Sequence, residues 1–297
     1  MNDEAVRTLA PALRPRVWPS LVALTCSTPC FFVVLGVLMA IGAVVDDVPV
    51  FSSEGAERMS SWLEEIAPTP KAMALMLAPS VLAFAAAAFV PAALSRTRLV
   101  DRLRLRAPRA DPLTLALCLL GIVGLQLAVT RAFEAIVDEP SESLKLAEAM
   151  LVEPRGVYGA LVLLVASAGS GFAEEVFFRG YVQSRLVEAW GGARGLILPS
   201  IFFALAHFDS QHSLAVFPLG VFMGIVAWRT GSTWTAIACH ALNNFTAIGL
   251  GRLGWPEEFG RAHVLASVVL TLALLGCAAL ALRRLWRLGE LAELRAP

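Results

Sequence analysis

The sequence predicts an all-α, polytopic transmembrane helical bundle. Hydrophobic residues make up 57% of the 297 residues and charged residues only 16%, and a soluble fold of this composition would expose too much apolar surface to water. Long apolar segments recur along the whole chain, several of them near the ~20 residues that cross a bilayer. Blocks of basic and acidic residues alternate between them, as in multi-pass membrane proteins.

Eight segments are candidates for membrane crossings. They lie near 20–45, 72–94, 112–130, 157–178, 194–208, 213–229, 232–250 and 263–283. Two of the last four are short for a complete crossing, and this half of the chain carries most of the intramembrane polar residues. The first apolar run is longer than the ~7–15-residue core of a cleaved signal peptide, so we expect a retained anchor.

The distribution of arginine predicts that both termini lie in the cytoplasm, because cytoplasmic loops collect Lys and Arg. The first basic loop contains Arg96, Arg98, Arg102, Arg104, Arg106 and Arg109, and later basic positions are Arg179, Arg185, Arg194, Arg229, Arg283, Arg284 and Arg287. The loops 46–70 and 131–156 are dominated by Asp and Glu instead. This alternation requires an even number of crossings, which supports eight.

The net charge and the residue composition also indicate which partners the protein can bind and what kind of organism encodes it. The net charge is zero and no basic face is evident, which argues against a nucleic-acid partner. Arginine far outnumbers lysine, which occurs only as Lys71 and Lys145, and this bias indicates a GC-rich bacterial coding sequence. We therefore expect an integral protein of the bacterial inner (cytoplasmic) membrane. The five cysteines lie in apolar segments, where thiols behave as small hydrophobes, so no disulfide framework is expected.

The first polar motif at membrane depth is GSGFAEEVFFRGY (169–181). Adjacent Glu174 and Glu175 project about 100° apart on a helix, and Arg179 stands one turn beyond Glu175, where the two can pair. Ionisable groups inside a membrane cost roughly 2.5–3.5 kcal/mol each on insertion scales and mark functional sites. The alternative is a cytoplasmic helix end with solvated charges.

Two further motifs carry histidine. Phe203 and His207 lie one turn apart in FFALAHF, and His240 and Asn244 share a helix face in CHALNNF. Each motif also has a purely structural interpretation. His207 could be an interior histidine whose hydrogen bonds are made within the fold, and His240 with Asn244 could form a helix-packing hydrogen bond worth about 0.6 kcal/mol. At 1.5 Å per residue, Glu174 lies about 26 Å before the turn at 191–192 and His207 about 23 Å after it. The two side chains are therefore expected at nearly the same depth.

In this order, EExxxR (Glu174, Glu175, Arg179), FxxxH (Phe203, His207) and HxxxN (His240, Asn244) resemble the motifs of the CPBP family. That family, also called Abi, contains CAAX-processing and bacteriocin-processing glutamic intramembrane endopeptidases. The resemblance covers about 157–250 and implies a CAAX prenyl protease-like hydrolase without a cofactor. It implies that Glu174, with His207, activates water, and that His240 and Asn244 stabilise the oxyanion. Glu175, Arg179 and Phe203 would be supporting residues. Spacing alone leaves open which glutamate is the base.

Two other interpretations stay open. Zinc held by Glu174, His207 and His240, with a fourth position open for water, would give a metal-dependent protease, although the HExxH pairing is missing. A non-catalytic transporter or scaffold would use the polar cluster for proton conduction or helix association.

The sequence suggests four regions. They are a cytoplasmic segment 1–18, an N-terminal transmembrane region 19–156, a catalytic transmembrane core 157–250, and a final helix with cytoplasmic tail at 251–297. Within the second region, 140–155 is expected to form an interfacial amphipathic helix. The substrate is expected to be a peptide or a membrane-protein tail that enters a site open to the cytoplasmic side and to lipid.

Overall fold

The computed structural model describes residues 16–49, 52–254 and 261–293. Within these ranges the chain forms eleven helices and no strand. The helices are α1 Trp18–Val45, α2 Gly55–Ile66, α3 Pro70–Ala93, α4 Leu99–Arg102, α5 Pro112–Ile136, α6 Glu142–Leu151, α7 Gly156–Trp190, α8 Gly192–Leu205, α9 Ser210–Thr230, α10 Thr233–Arg252 and α11 Arg261–Glu293. The predicted all-α fold class is confirmed. Most of the predicted segment 1–18 and the last four residues of the tail lie outside the described residues.

Among the described residues, six helices are long and apolar enough to cross a membrane, namely α1, α3, α5, α7, α9 and α11. The other two predicted crossings correspond to α8, with 14 residues, and α10, with 20 residues that include polar Thr, His and Asn. These are the helices that carry the FxxxH and HxxxN motifs. An integral multi-pass membrane protein is confirmed, whereas the count of eight crossings and the orientation stay predictions.

Glycines and side-chain caps set the helix boundaries that position the site. Gly191 (φ 83°) joins α7 to α8, and Gly231 (φ 66°) joins α9 to α10, in a left-handed conformation that glycine adopts without steric cost. Both helix pairs therefore reverse direction within one or two residues. Asp111 caps α5 by accepting a hydrogen bond from the Thr114 backbone N–H at 3.1 Å, and Pro112 at the first helical position has no N–H to satisfy.

Interactions between loops define two ends of the bundle. At one end, the segment 94–111 packs on the α9–α10 turn, where the Arg109 N–H donates to the Thr230 carbonyl at 3.0 Å and the Thr233 N–H to the Arg104 carbonyl at 2.9 Å. We call this the basic end. The opposite end contains the connecting residues 46–49, 52–69, 137–155 and 206–209, and the Ser141 hydroxyl there donates to Asp209 Oδ2 at 2.6 Å. We call this the acidic end.

Two helices lie at the acidic end without crossing the bundle. The amphipathic helix expected within 140–155 is α6, and no residue of α6 is buried. Helix α2 was not predicted; it occupies part of an acidic connection and buries Trp62 and Ile66. The Trp62 indole N–H donates to Asp46 Oδ2 at 2.9 Å, which fixes α2 against the end of α1.

Helix α7 departs from α-helical geometry on both sides of the EExxxR glutamates. Val165–Gly169 and Val176–Gln183 are π-helical, and Ser170–Glu175 between them is α-helical. Interruptions of this kind occur frequently at functional sites in helices. Gly171 at the start of the α-helical part lets α10 approach closely, since a Cβ there would lie 3.0 Å from the Ala241 backbone nitrogen.

The long helices α5 and α11 pack together through glycine. A Cβ on Gly121 would lie 2.7 Å from Ala278 Cα, and one on Gly124 would lie 2.5 Å from the Leu274 carbonyl carbon. Both distances are too short for real atoms, so the helices can approach this closely only because these side chains are missing. Small residues at helix interfaces serve this purpose in membranes.

We predict that Gly124→Ala lowers the free energy of unfolding by about 1–3 kcal/mol, because the added methyl group overpacks the α5–α11 interface. The matched control is Gly36→Ala, whose Cβ would meet nothing within 4 Å and should cause no loss, since alanine is the better helix former. Unfolding of the purified protein by a denaturing detergent measures both. Equal effects of the two substitutions would contradict the proposed packing role of Gly124.

Candidate active site

The three motifs meet around one cavity of about 390 Å³. The cavity is lined by Glu174 from α7, by His207 from the turn that follows α8, and by His240 and Asn244 from α10. The structure therefore brings together the four residues that the resemblance nominates as catalytic. The remaining walls come from α3, α5, α6 and α9 and are mainly apolar, with Leu77 and Leu219 among them.

The adjacent glutamates occupy different environments. Glu175 is fully buried, and its Oε1 accepts hydrogen bonds from Arg179 Nη1 and His240 Nδ1, both at 2.9 Å. Glu174 is partly exposed and lines the cavity. The roughly 100° between successive side chains on a helix separates them in this way. Glu174 is thus the motif carboxylate that faces the cavity, and Glu175 belongs to the packing behind it.

Arg179 ties the first motif to the second. Its Nη2 donates to the Gly220 carbonyl of α9 at 2.8 Å, and its guanidinium stacks 4.3 Å from the centroid of the Phe203 ring. A Cβ on Gly220 would lie 2.9 Å from Phe203 Cδ1 and 3.3 Å from Arg179 Nη2, so this position requires glycine. Phe203, predicted as a supporting residue, lies beneath the buried cation and contributes a cation–π contact.

Hydrogen bonding at Nδ1 orients both motif histidines. Nδ1 of His207 lies 3.0 Å from the Phe203 carbonyl and 3.3 Å from the Ala204 carbonyl, so it carries the proton and Nε2 is the basic nitrogen of the neutral ring. Nδ1 of His240 donates to Glu175 in the same way. Each ring therefore keeps Nε2 free for another partner.

Asn244 is held between two helices. Its Nδ2 donates to the Ala166 carbonyl of α7 at 2.9 Å, and its Oδ1 accepts from Asn243 Nδ2 at 3.1 Å. One N–H of the Asn244 amide stays available, since an amide nitrogen has two donors. Oδ1 of Asn243 is buried without a partner among the described residues.

The polar residues of the cavity wall that the motifs did not predict include Gln126, His212 and Asn243. The His212 ring lies 4.4 Å from the His207 ring, centroid to centroid. Gln126 stands in an otherwise apolar segment, and polarity at membrane depth was a signal that could have identified it. His212 lies in the first turn of α9, directly after the capping residue Asp209. Its position in the cavity wall could be predicted only if the start of α9 were known.

Helix α6 covers part of the cavity, where Met150 and Leu151 contribute to the wall. Asp209 Oδ2 accepts hydrogen bonds from the Ser141 and Ser143 hydroxyls at 2.6 and 2.7 Å. We call these two bonds the α6 latch. At the other end of α6, Arg252 Nη2 donates to the Leu151 carbonyl at 2.9 Å.

The donors required for the zinc interpretation also line this cavity. Among the residues that the structure describes, however, no three His, Cys, Asp or Glu side chains are placed to hold a metal ion.

We predict that Arg179→Met destabilises the fold by about 3–5 kcal/mol, because it leaves the buried Glu175 carboxylate without its cation. Arg98→Met is the matched control in an exposed loop and should change stability by no more than about 0.5 kcal/mol. Detergent-induced unfolding measures both. A loss at position 179 no larger than that of the control would show that the pair does not support the fold.

We also predict that Asp209→Asn loosens α6 at neutral pH. Partial burial acts to raise the pKa of Asp209, but hydrogen bonds from Ser141, Ser143 and the His212 N–H outweigh it and lower the pKa from 3.8 to about 2. A depressed pKa means that the carboxylate stabilises the latch above the ordinary pKa and loses this effect as the pH falls towards 2. Hydrogen exchange of the α6 amides should therefore accelerate in the variant.

Asp138→Asn is the control for this measurement, because Asp138 is exposed at the same end of the bundle. Unchanged exchange in Asp209→Asn, or equal acceleration in both variants, would show that the latch does not hold α6.

Comparison with known proteins gives one family match, over the part of the chain that carries the three motifs. Residues 156–246 match the family model described as type II CAAX prenyl endopeptidase Rce1-like. No curated protein and no solved structure gives a significant match. All three motifs lie inside the matched segment, so the resemblance predicted from them is confirmed: residues 156–246 match the CPBP/CAAX protease family.

Proposed function

We propose that this protein is a glutamic intramembrane endopeptidase that hydrolyses a peptide bond in a peptide or membrane-protein tail. The observation that supports this most directly is the shared cavity of Glu174, His207, His240 and Asn244. The match of residues 156–246 to the type II CAAX prenyl endopeptidase family also supports a CAAX-type protease. On this proposal the protein resides in the bacterial cytoplasmic membrane and its activity needs no metal or other cofactor.

Glu174 is the general base. Its neighbour Glu175 is hydrogen-bonded to Arg179 and His240, whereas the Glu174 carboxylate lines the cavity. Glu174, assisted by Nε2 of His207, takes a proton from water as the oxygen attacks the peptide carbonyl carbon. When the tetrahedral intermediate collapses, the C–N bond breaks and the same proton passes to the leaving amine. The products are a carboxylic acid and an amine, so the step balances with one water consumed.

His240 and Asn244 stabilise the oxyanion. With Nδ1–H bonded to Glu175, a protonated His240 donates from Nε2, and Asn244 donates its remaining N–H. Preorganised donors of this kind are each worth about 2.7–4 kcal/mol of transition-state stabilisation. Glu174 and Glu175 together with Arg179 and protonated His240 form a charge-neutral set, which limits the cost of ionisation inside a membrane.

We predict that Glu174→Gln lowers cleavage by about 10²–10⁴-fold, because it removes the base and keeps the shape of the side chain. Proteomics of the membrane fraction, comparing wild type with the variant, measures this and identifies the substrates. Glu64→Gln, an exposed position on α2, is the control and should cleave normally. Identical peptide profiles from wild type and Glu174→Gln would refute the role of Glu174.

Two further measurements separate the alternatives. Loss of activity with a chelator, restored by zinc, would favour the metal-dependent protease. A cellular phenotype that survives both Glu174→Gln and His207→Ala, with folded protein in the membrane, would favour the non-catalytic scaffold or transporter.

A further inference from the structure

The cavity lies towards the acidic end of the bundle. On each long helix its lining begins near the middle and extends in that direction, as shown by Ala166, Ser170 and Glu174 on α7. On α5 the lining residues are in the second half of the helix, at Gln126, Val129 and Thr130. The end of α8, the start of α9 and the last residues of α6 complete the wall, and all of them lie at the acidic end.

The basic end is closed off from this cavity by packed backbone. The Leu103 carbonyl accepts a hydrogen bond from the Thr233 hydroxyl at 2.7 Å, and a Cβ on Gly180 would lie 2.7 Å from the same carbonyl oxygen. A smaller cavity of about 230 Å³ opens at the basic end beside Arg104 and Gln183. Its lining reaches Arg179 but includes none of the four candidate catalytic residues.

The two ends carry net charges of opposite sign. At the basic end, arginines occupy 96, 98, 102, 104, 106, 109, 185, 194, 229, 283, 284 and 287, against Asp or Glu at 101, 111, 188, 290 and 293. At the acidic end, Asp or Glu occupies 46, 47, 54, 57, 64, 65, 134, 138, 139, 142, 148, 153 and 209, against Lys or Arg at 58, 71, 131, 145, 155 and 252. Excess Lys and Arg marks the cytoplasmic side of a membrane protein. A cytoplasmic basic end and an active site open to the cytoplasm are therefore incompatible in this fold.

We propose that the active site receives its substrate from the extracytoplasmic side, as a peptide segment exposed at the outer face of the membrane. This inference rests on the proposed proteolytic function. It favours an exported peptide or the outer juxtamembrane segment of a membrane protein, and it excludes a prenylated tail presented from the cytoplasm. The apolar wall formed by Met150, Leu151 and Leu219 suits apolar side chains next to the scissile bond.

Cysteine labelling in sealed vesicles tests the sidedness without needing a substrate. In a background with all five native cysteines replaced by alanine, single reporters are placed at Ala215 in the cavity wall, Glu64 at the acidic end and Arg98 at the basic end. A membrane-impermeant maleimide should label Ala215→Cys and Glu64→Cys in right-side-out vesicles. It should label Arg98→Cys only in inside-out vesicles.

Labelling of Ala215→Cys from the same side as Arg98→Cys would overturn the proposal. A cavity thiol that reacts from neither side, although it reacts after denaturation, would show that no water-filled mouth exists at the acidic end and would overturn it equally.

Mapping of cleavage sites tests the substrate class. Bonds cut by wild type and spared by Glu174→Gln should lie in extracytoplasmic segments, and cuts in cytoplasmic segments would refute the inference. Absence of any Glu174-dependent cleavage would refute the proposed function instead. In that case the labelling result still decides which side the cavity faces, so the two failures are distinguishable.

Discussion

The structure of the core depends on one buried ion pair between Glu175 and Arg179, whose side chains are both 0% exposed. An unpaired charge at such a position would cost several kcal/mol. Contacts with three surrounding helices offset this cost. The His240 ring of α10 donates a hydrogen bond to Glu175, and Arg179 donates one to the Gly220 carbonyl of α9 and stacks on the Phe203 ring of α8. A single pair of charges on α7 thereby fixes the relative positions of the helices that form the site.

The same constraint explains why two adjacent glutamates serve different purposes. Glu175 orients His240 by accepting its Nδ1–H, which leaves Nε2 as the ring nitrogen available to another partner. Glu174, one residue earlier, is turned into the cavity. A short α-helical segment between two π-helical ones carries both residues. The fold therefore separates a buried, paired carboxylate from one that faces the cavity, without any change in residue type.

The local part of this arrangement was predictable from the sequence. Spacing predicted the Glu175–Arg179 pair, the shared face of His240 and Asn244, and the common depth of Glu174 and His207. The bond from Glu175 to His240 was not predictable, because it joins residues 65 positions apart and depends on the packing of α7 against α10. His212 and Asn243 were missed for the same reason. Long-range packing also determines that the cavity extends towards the acidic end. The predicted equal depth of Glu174 and His207 does not indicate towards which end a cavity opens.

The two ends of the bundle differ in how firmly they are held. At the basic end, backbone hydrogen bonds tie the segment 103–109 to the α9–α10 turn, and Leu103 is completely buried. At the acidic end, α6 has no buried residue, and side-chain bonds to Asp209 and Arg252 help to hold it. Elements with little buried surface open at the lowest free-energy cost. Because α6 also covers part of the cavity, its displacement would uncover the cavity wall at a low free-energy cost.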